Sequence, residues 1–254
     1  MFDHLILLLV SFIANAFSAF VGGGAGLLQL PILLFLGLPF SIALATHKIA
    51  TIALGIGATL RHIRERNLNL KFSLVILVSG LPGVILGANI ILFVPDKIAT
   101  LSLGILTTGL GFYSWFSPSL GQNLQTKHRT LTGYIIGSCV IFFIGILNGS
   151  LTSGTGLFVT LWLVYWFGLN YKLAVAYTLV LVGLFWNASG ALTLALQTEV
   201  KWEWLPVLIL ASIAGGYVGA HLSIVKSNKM IKRTFEVVTI LVGLKLMSGA
   251  FMPL

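Results

Sequence analysis

Long apolar stretches, sparse in charge, dominate this chain at 4–21, 41–61, 72–94, 97–116, 131–149, 172–197, 204–225 and 231–252. A helix needs ~20 apolar residues to cross a hydrocarbon core of ~30 Å, and each stretch supplies about that number. The expected class is therefore an all-α polytopic membrane protein. Composition agrees: 8% of the residues are charged and 57% hydrophobic, with a mean hydropathy of +1.03. Soluble domains carry about 25% charged residues. So few charges cannot wet a surface, which excludes a soluble enzyme, a disordered tail and a nucleic-acid binder. A single cysteine, Cys139, excludes a disulfide framework and a cysteine-rich metal site. Near the start, Ala14-Asn15-Ala16 imitates a signal-peptide cleavage site. Asp3 and His4 stand where a basic n-region would be, so the segment is expected to remain in the mature protein.

Two shorter apolar pieces, 25–37 and 156–167, each follow a glycine-rich turn. The turns read Gly22-Gly23-Gly24-Ala25-Gly26 and Ser153-Gly154-Thr155-Gly156. Thirteen or fewer helical residues reach only ~20 Å, so these pieces are expected to be half-helices.

The pattern repeats 130 to 132 residues on. Gly24 and Gly26 correspond to Gly154 and Gly156, Gly37-Leu38 to Gly168-Leu169, and Ala43 and Ala45 to Ala174 and Ala176. Gly83, Gly87 and Ala88 correspond to Gly215, Gly219 and Ala220, and Lys97 to Lys229. Small residues at this spacing also let membrane helices pack closely, but the shared register along the half-chain points to two homologous halves, 1–124 and 125–254. Charge then sets their relative orientation. The loop at 61–71 nets +3 (Arg61, Arg64, Arg66 and Lys71 against Glu65), while its equivalent at 198–203 nets −1 (Glu199, Lys201, Glu203). At the next loop the bias reverses: Asp96 and Lys97 cancel, whereas Lys226, Lys229, Lys232 and Arg233 sum to +4. Lys and Arg collect on the cytoplasmic side, so equivalent loops of opposite bias belong on opposite sides. With five helical segments per half, the cytoplasm receives 61–71, 117–130, Lys172 and 225–233, and the N-terminus lies outside. Inverted repeats with interrupted helices are the architecture of secondary transporters, with binding near the midplane. Half-helix N-termini aimed at that region suit an anion, although the glycines would also serve tight turns alone.

Lys48 lies eight or nine residues into its span, ~12–13 Å deep. An intramembrane cation is a functional candidate; the alternative is a lysine snorkelling to the interface. Its repeat counterpart is Leu179, and Thr178 corresponds to His47. The acids Asp3, Glu65, Asp96, Glu199 and Glu203 fall in loops, and Glu236 is placed to pair with Lys232 or Arg233. Cation carriers and proton pumps usually place acids within spans, so an anion is the expected substrate. Asn148, Ser150, Thr152, Ser153 and Thr155 crowd the second glycine turn, where they would hold oxyanion oxygens or satisfy the broken helix's own backbone. Asn187 and Ser189 are mid-span, with interhelical bonding as their alternative. His47 is either proton-responsive or a hydrogen-bonded core histidine. His62, His128 and His221 are dispersed, Lys245 reads as snorkelling, and Trp115, Trp202 and Trp204 read as interfacial anchors.

The Gly22–Gly26 turn, the Pro31–Gly37 piece, Ala45-Thr46-His47-Lys48 and the basic loop from Arg61 to Lys71 resemble the sulfite exporter TauE/SafE family, also called toluene sulfonate uptake permeases. The resemblance extends through the second copy, from Gly145 to about Met247. It implies movement of sulfite, sulfonates and related sulfur-containing anions. Members often carry Asn before the lysine, where this chain has His47, and its second glycine motif is Ser153-Gly154-Thr155-Gly156 rather than a full glycine run.

Together these readings give an inverted-repeat carrier in the plasma (inner) membrane that moves a small oxyanion by alternating access. Lys48 would supply the countercharge. Gly23, Gly24, Gly26, Ser153, Gly154, Thr155 and Gly156 would line the two turns, with Thr46, His47, Thr178 and Asn187 completing the shell. No cofactor or metal is expected. The partners are the anion and the bilayer, not nucleic acid, and a homo-oligomer is left open. With the cell interior negative, exporting one negative charge gains ~2.3 kcal/mol per 100 mV, which favours efflux. The alternatives are a proton-coupled uptake permease for an organic anion, an anion channel, or a nonconducting scaffold.

Overall fold

The computed structural model describes residues 2–22, 29–62, 65, 68–151 and 155–251. Every regular element among them is helical: α1 (Phe2–Val21), α2 (Gln29–Phe35), α3 (Phe40–His62), α4 (Leu70–Ile90, continued by a 3-10 turn Ile91–Phe93), α5 (Asp96–Trp115), α6 (Leu131–Ser150), α7 (Thr155–Tyr165), α8 (Tyr171–Tyr177), a π-helical stretch (Thr178–Trp186), α9 (Asn187–Ala195), α10 (Leu205–Val225) and α11 (Asn228–Phe251). Six are long and apolar enough to cross a membrane by length and composition: α1, α3, α4, α6, the continuous run from α8 to α9, and α10. Helices α5 and α11, at 20 and 24 residues, have spanning length with more polar residues and pack along each other.

Local chemistry sets the boundaries. The side-chain oxygens of Asn69, Thr130 and Asn170 accept from the backbone N–H of Phe72, Gly133 and Leu173, capping α4, α6 and α8. Both short helices end at a left-handed glycine, Gly37 (φ 87°) after α2 and Gly168 (φ 69°) after α7, the conformation that ends a helix at least cost. The two glycines are 131 positions apart. Helix α7 is apolar all round and nine of its eleven residues are buried, so it is a half-helix sealed within the bundle.

Packing is organised by backbone contact at small residues. Helix α1 runs along α10, α4 along α6, and α3 against α10 and the π-to-α9 run. A Cβ on Gly83 or Gly87 of α4 would lie 2.2 or 2.0 Å from a carbonyl oxygen of α6 (Phe142, Ile146). A Cβ on Gly215 or Gly219 of α10 would lie 2.7 or 2.2 Å from one of α1 (Phe12, Ala16). Helix α3 is the innermost long helix, buried over 72% of its apolar window against 33% for α6. Outward faces carry exposed apolar side chains such as Leu74, Val78, Phe143 and Leu210.

The connecting segments gather at two ends. At one, Arg61 Nε donates to His221 Nδ1 (3.1 Å), Lys172 Nζ to the Ile224 carbonyl (2.8 Å) and Asn228 Nδ2 to the Gln122 carbonyl (2.9 Å). That brings together the ends of α3, α5 and α10 and the starts of α8 and α11, where most of the basic residues lie. At the other, the Lys201 N–H donates to Thr46 Oγ1 (2.9 Å) and Gln197 Nε2 to Asn89 Oδ1 (3.1 Å).

Candidate functional site

Lys48 is fully buried, so it does not snorkel. Its Nζ donates to the Asn148 carbonyl (2.8 Å) and to Asn148 Oδ1 (3.2 Å), which carries the contact from α3 to the end of α6. Asn148 Nδ2 in turn donates to Thr155 Oγ1 (2.8 Å), the first residue of α7. The ammonium therefore stands one side chain away from a half-helix N-terminus, where N–H groups lack intrahelical acceptors. On its other side a Cβ at Gly190 of α9 would be 2.9 Å from Nζ, so that glycine leaves room for the lysine. No carboxylate forms an ion pair with Lys48 among the described residues. The lysine sits about one-third of the way along α3, ~12 Å from its start in a helix of ~34 Å, nearer the end that holds the 198–203 loop than the basic end.

Beside it, His47 Nδ1 lies 2.8 Å from Gln29 Oε1 of α2, and His47 Nε2 is buried with no hydrogen-bond partner among the described residues. Elsewhere, Thr160 of α7 and Thr178 have hydroxyls that meet at 2.9 Å. Gln29 and Thr160 are 131 positions apart, as are His47 and Thr178, so a short helix is bridged to a long one by each pair. Thr160 also donates to the Gly22 carbonyl (3.0 Å).

The other expected site residues are distributed as follows. Gly23, Gly24, Gly26, Ser153 and Gly154 lie outside the described residues. Thr155 and Gly156 open α7 and are buried. Thr46 accepts from the Lys201 N–H, and Asn187 Nδ2 donates back to the Gly183 carbonyl of its own run (3.4 Å). The structure thus brings together Lys48, Asn148 and Thr155, with His47 alongside, and engages Thr46, Thr178 and Asn187 elsewhere. Sequence reasoning passed over Gln29 and Thr160. Each is a polar side chain in a short apolar helix, and the 131-residue offset from the His47–Thr178 pair is the signal that singles them out.

A second buried charged group stands away from this site. Lys232 and Glu236 of α11 form an ion pair, as their spacing suggests. Glu236 also accepts from Ser114 Oγ (3.0 Å), Lys232 donates to the Ser114 carbonyl (2.7 Å), and the Ser114 and Tyr171 hydroxyls are 3.0 Å apart. Glu236 is only 5% exposed, more deeply placed than a helix-end acid. Among the described residues no three His, Cys, Asp or Glu side chains stand together to hold a metal ion.

Comparison with known proteins places this geometry in context. The sequence profile of the family described as Sulfite exporter TauE/SafE matches residues 7–246. A probable membrane transporter protein of Haemophilus influenzae is 30% identical over 95% of this chain and 93% of its own length. The probable membrane transporter proteins YfcA of Escherichia coli K12 and YdhB of Bacillus subtilis are 28% and 24% identical, over 95% and 96% of this chain and 88% and 100% of their own lengths. No solved structure matches the chain.

Proposed function

The chain belongs to the sulfite exporter TauE/SafE family of membrane transporters, and from that premise we propose that it is a secondary transporter exporting a small sulfur-containing anion, sulfite or an organosulfonate. The observation that carries the reading is the state of Lys48. A buried cation is costly unless it is paired. Among the described residues Lys232 is paired with Glu236, whereas Lys48 meets the neutral oxygens of Asn148 and no carboxylate. An oxyanion entering between Lys48 and Thr155 would supply the missing countercharge at the N-terminal, positive end of the α7 dipole. Asn148 would then act as the gate ligand, holding the lysine when no anion is bound.

Alternating access would arise from two inverted halves, 1–124 and 125–254, moving about this site. Supporting that arrangement, α1 packs on α10 as α6 packs on α4, at equivalent glycines, and the Gln29–His47 bridge has its equivalent in Thr160–Thr178. The basic end would face the cytoplasm, and the Thr46–Lys201 end the exterior. A proton-coupled permease is the second reading, supported by buried His47 next to the lysine, whose Nε2 has no hydrogen-bond partner among the described residues.

The test is counterflow of sulfite, thiosulfate, sulfate and small sulfonates in proteoliposomes. Saturable flux of one anion that vanishes in folded Lys48→Gln protein is the expected result. Unchanged flux in that variant would remove Lys48 from the site. Dependence of the flux on an imposed pH gradient would favour the coupled permease over the uniporter, and flux without saturation or exchange would indicate a channel.

A further inference from the structure

At the basic end, α5, α11 and the segment after α5 enclose a cavity of about 700 Å³, with Trp115, Lys229, Lys232, Arg233, Glu236 and Val237 in its wall. Glu236 is already held by Lys232 and the Ser114 hydroxyl. Lys229 and Arg233 are exposed and form no ion pair among the described residues. The cavity thus presents two available cations and a net positive charge.

Below it, the character of α11 changes along one face. Lys229, Arg233, Val237 and Leu241 follow at intervals of four, which stacks them on one side of the helix. Val237, Leu241 and Leu244 are exposed by 48%, 62% and 47%. From Arg233 to Leu244 the axis advances ~16 Å, about half the thickness of a hydrocarbon core. Trp115 in the cavity wall is exposed and suits the headgroup level. A charged pocket continued by one leaflet's depth of apolar surface has the polarity of a phospholipid laid head-first. A free phosphate would need only the pocket.

We infer that this cavity binds the phosphate of an anionic phospholipid, with Arg233 and Lys229 on the headgroup and the acyl chain along Val237, Leu241 and Leu244. The guanidinium fork of Arg233 matches two phosphate oxygens at once. The inference rests on the membrane reading of α11 and is independent of the transported anion.

Native mass spectrometry of delipidated protein, titrated with phosphatidylglycerol and with phosphatidylcholine of identical chains, tests it. The wild type is expected to retain phosphatidylglycerol in preference by roughly thirtyfold, the size that two interfacial cations supply together. The preference should fall to about threefold or less in Lys229→Gln/Arg233→Gln and persist in Lys71→Gln/Lys226→Gln, which loses the same charge at the same end outside the cavity. Equal retention of both lipids by the wild type, or equal loss in the two double variants, would overturn the inference. Displacement of the bound lipid by millimolar inorganic phosphate would reassign the pocket to the free ion and overturn it as well.

Discussion

Asn148→Asp tests the logic of the lysine site more sharply than removing the lysine does. The amide and the carboxylate have the same shape, so the substitution installs a resident anion 3.2 Å from Lys48 Nζ. At that separation and an effective dielectric of ~20, two unit charges attract by ~5 kcal/mol. Desolvating the new carboxylate consumes several kcal/mol of this, so the melting temperature should stay within a few degrees of wild type. The transported anion, by contrast, meets a cation already neutralised. Forfeiting ~4 kcal/mol of attraction weakens its binding by about three decades, at ~1.4 kcal/mol per decade. Counterflow in proteoliposomes should therefore show no saturable flux at concentrations that saturate the wild type, from protein whose melting temperature lies within a few degrees of the wild-type value. Wild-type KM and flux in folded Asn148→Asp protein would refute the idea that an uncompensated lysine attracts the substrate.

Three further outcomes follow from packing and charge. Gly87→Ala sets a methyl 2.0 Å from the Ile146 oxygen and Gly219→Ala one 2.2 Å from the Ala16 oxygen, so each should destabilise by about 1–3 kcal/mol in detergent melts, with Gly109→Ala, where nothing stands within 4 Å, as the neutral control. Glu236→Gln leaves Lys232 buried without its counter-ion and should cost about 3–5 kcal/mol, much of it recovered in Lys232→Met/Glu236→Gln; a melt unchanged by the single substitution would contradict the pairing. In the 198–203 loop, the Lys201 ammonium, 2.8 Å away, holds the Glu203 carboxyl below the ordinary carboxylate range. Its small contribution to stability is present above the ordinary carboxylate pKa and fades as pH falls through the lowered value, and a carboxyl titration by NMR that finds Glu203 at or above the usual value would contradict the contact.

Span positions were legible because lipid forces each crossing to be long, apolar and internally hydrogen-bonded, and the helices begin and end within a few residues of the apolar stretches. Both half-helices were legible for the converse reason: Gln29–Phe35 and Thr155–Tyr165 are too short to cross. Lys48 stood out because a cation in lipid is expensive. Its partner did not, since Asn148 is 100 residues away and only the folded bundle brings the end of α6 to the ammonium. Asn187 and Thr46 illustrate the same limit, each polar and suitably placed along the chain yet bonded elsewhere. The π-helical turn at Thr178–Trp186 leaves no mark in a run that is apolar throughout. Buried Glu236 was hidden by its neighbours, because a carboxylate four residues from a lysine reads equally well as a solvated helix end.

The pairing of α1 with α10 also bears on how the protein is made. On emerging from the ribosome, α1 finds none of its principal packing surface, because 183 residues separate Val21 from Leu205. At ~5–20 residues per second that delay is roughly ten to forty seconds. Through this interval the polar Ser11, Asn15 and Ser18, all buried in the finished bundle, face lipid or the insertion machinery. Helix α1 is thus inserted well before its partner and seated late, and a nascent chain truncated before α10 would leave it exposed to membrane quality control.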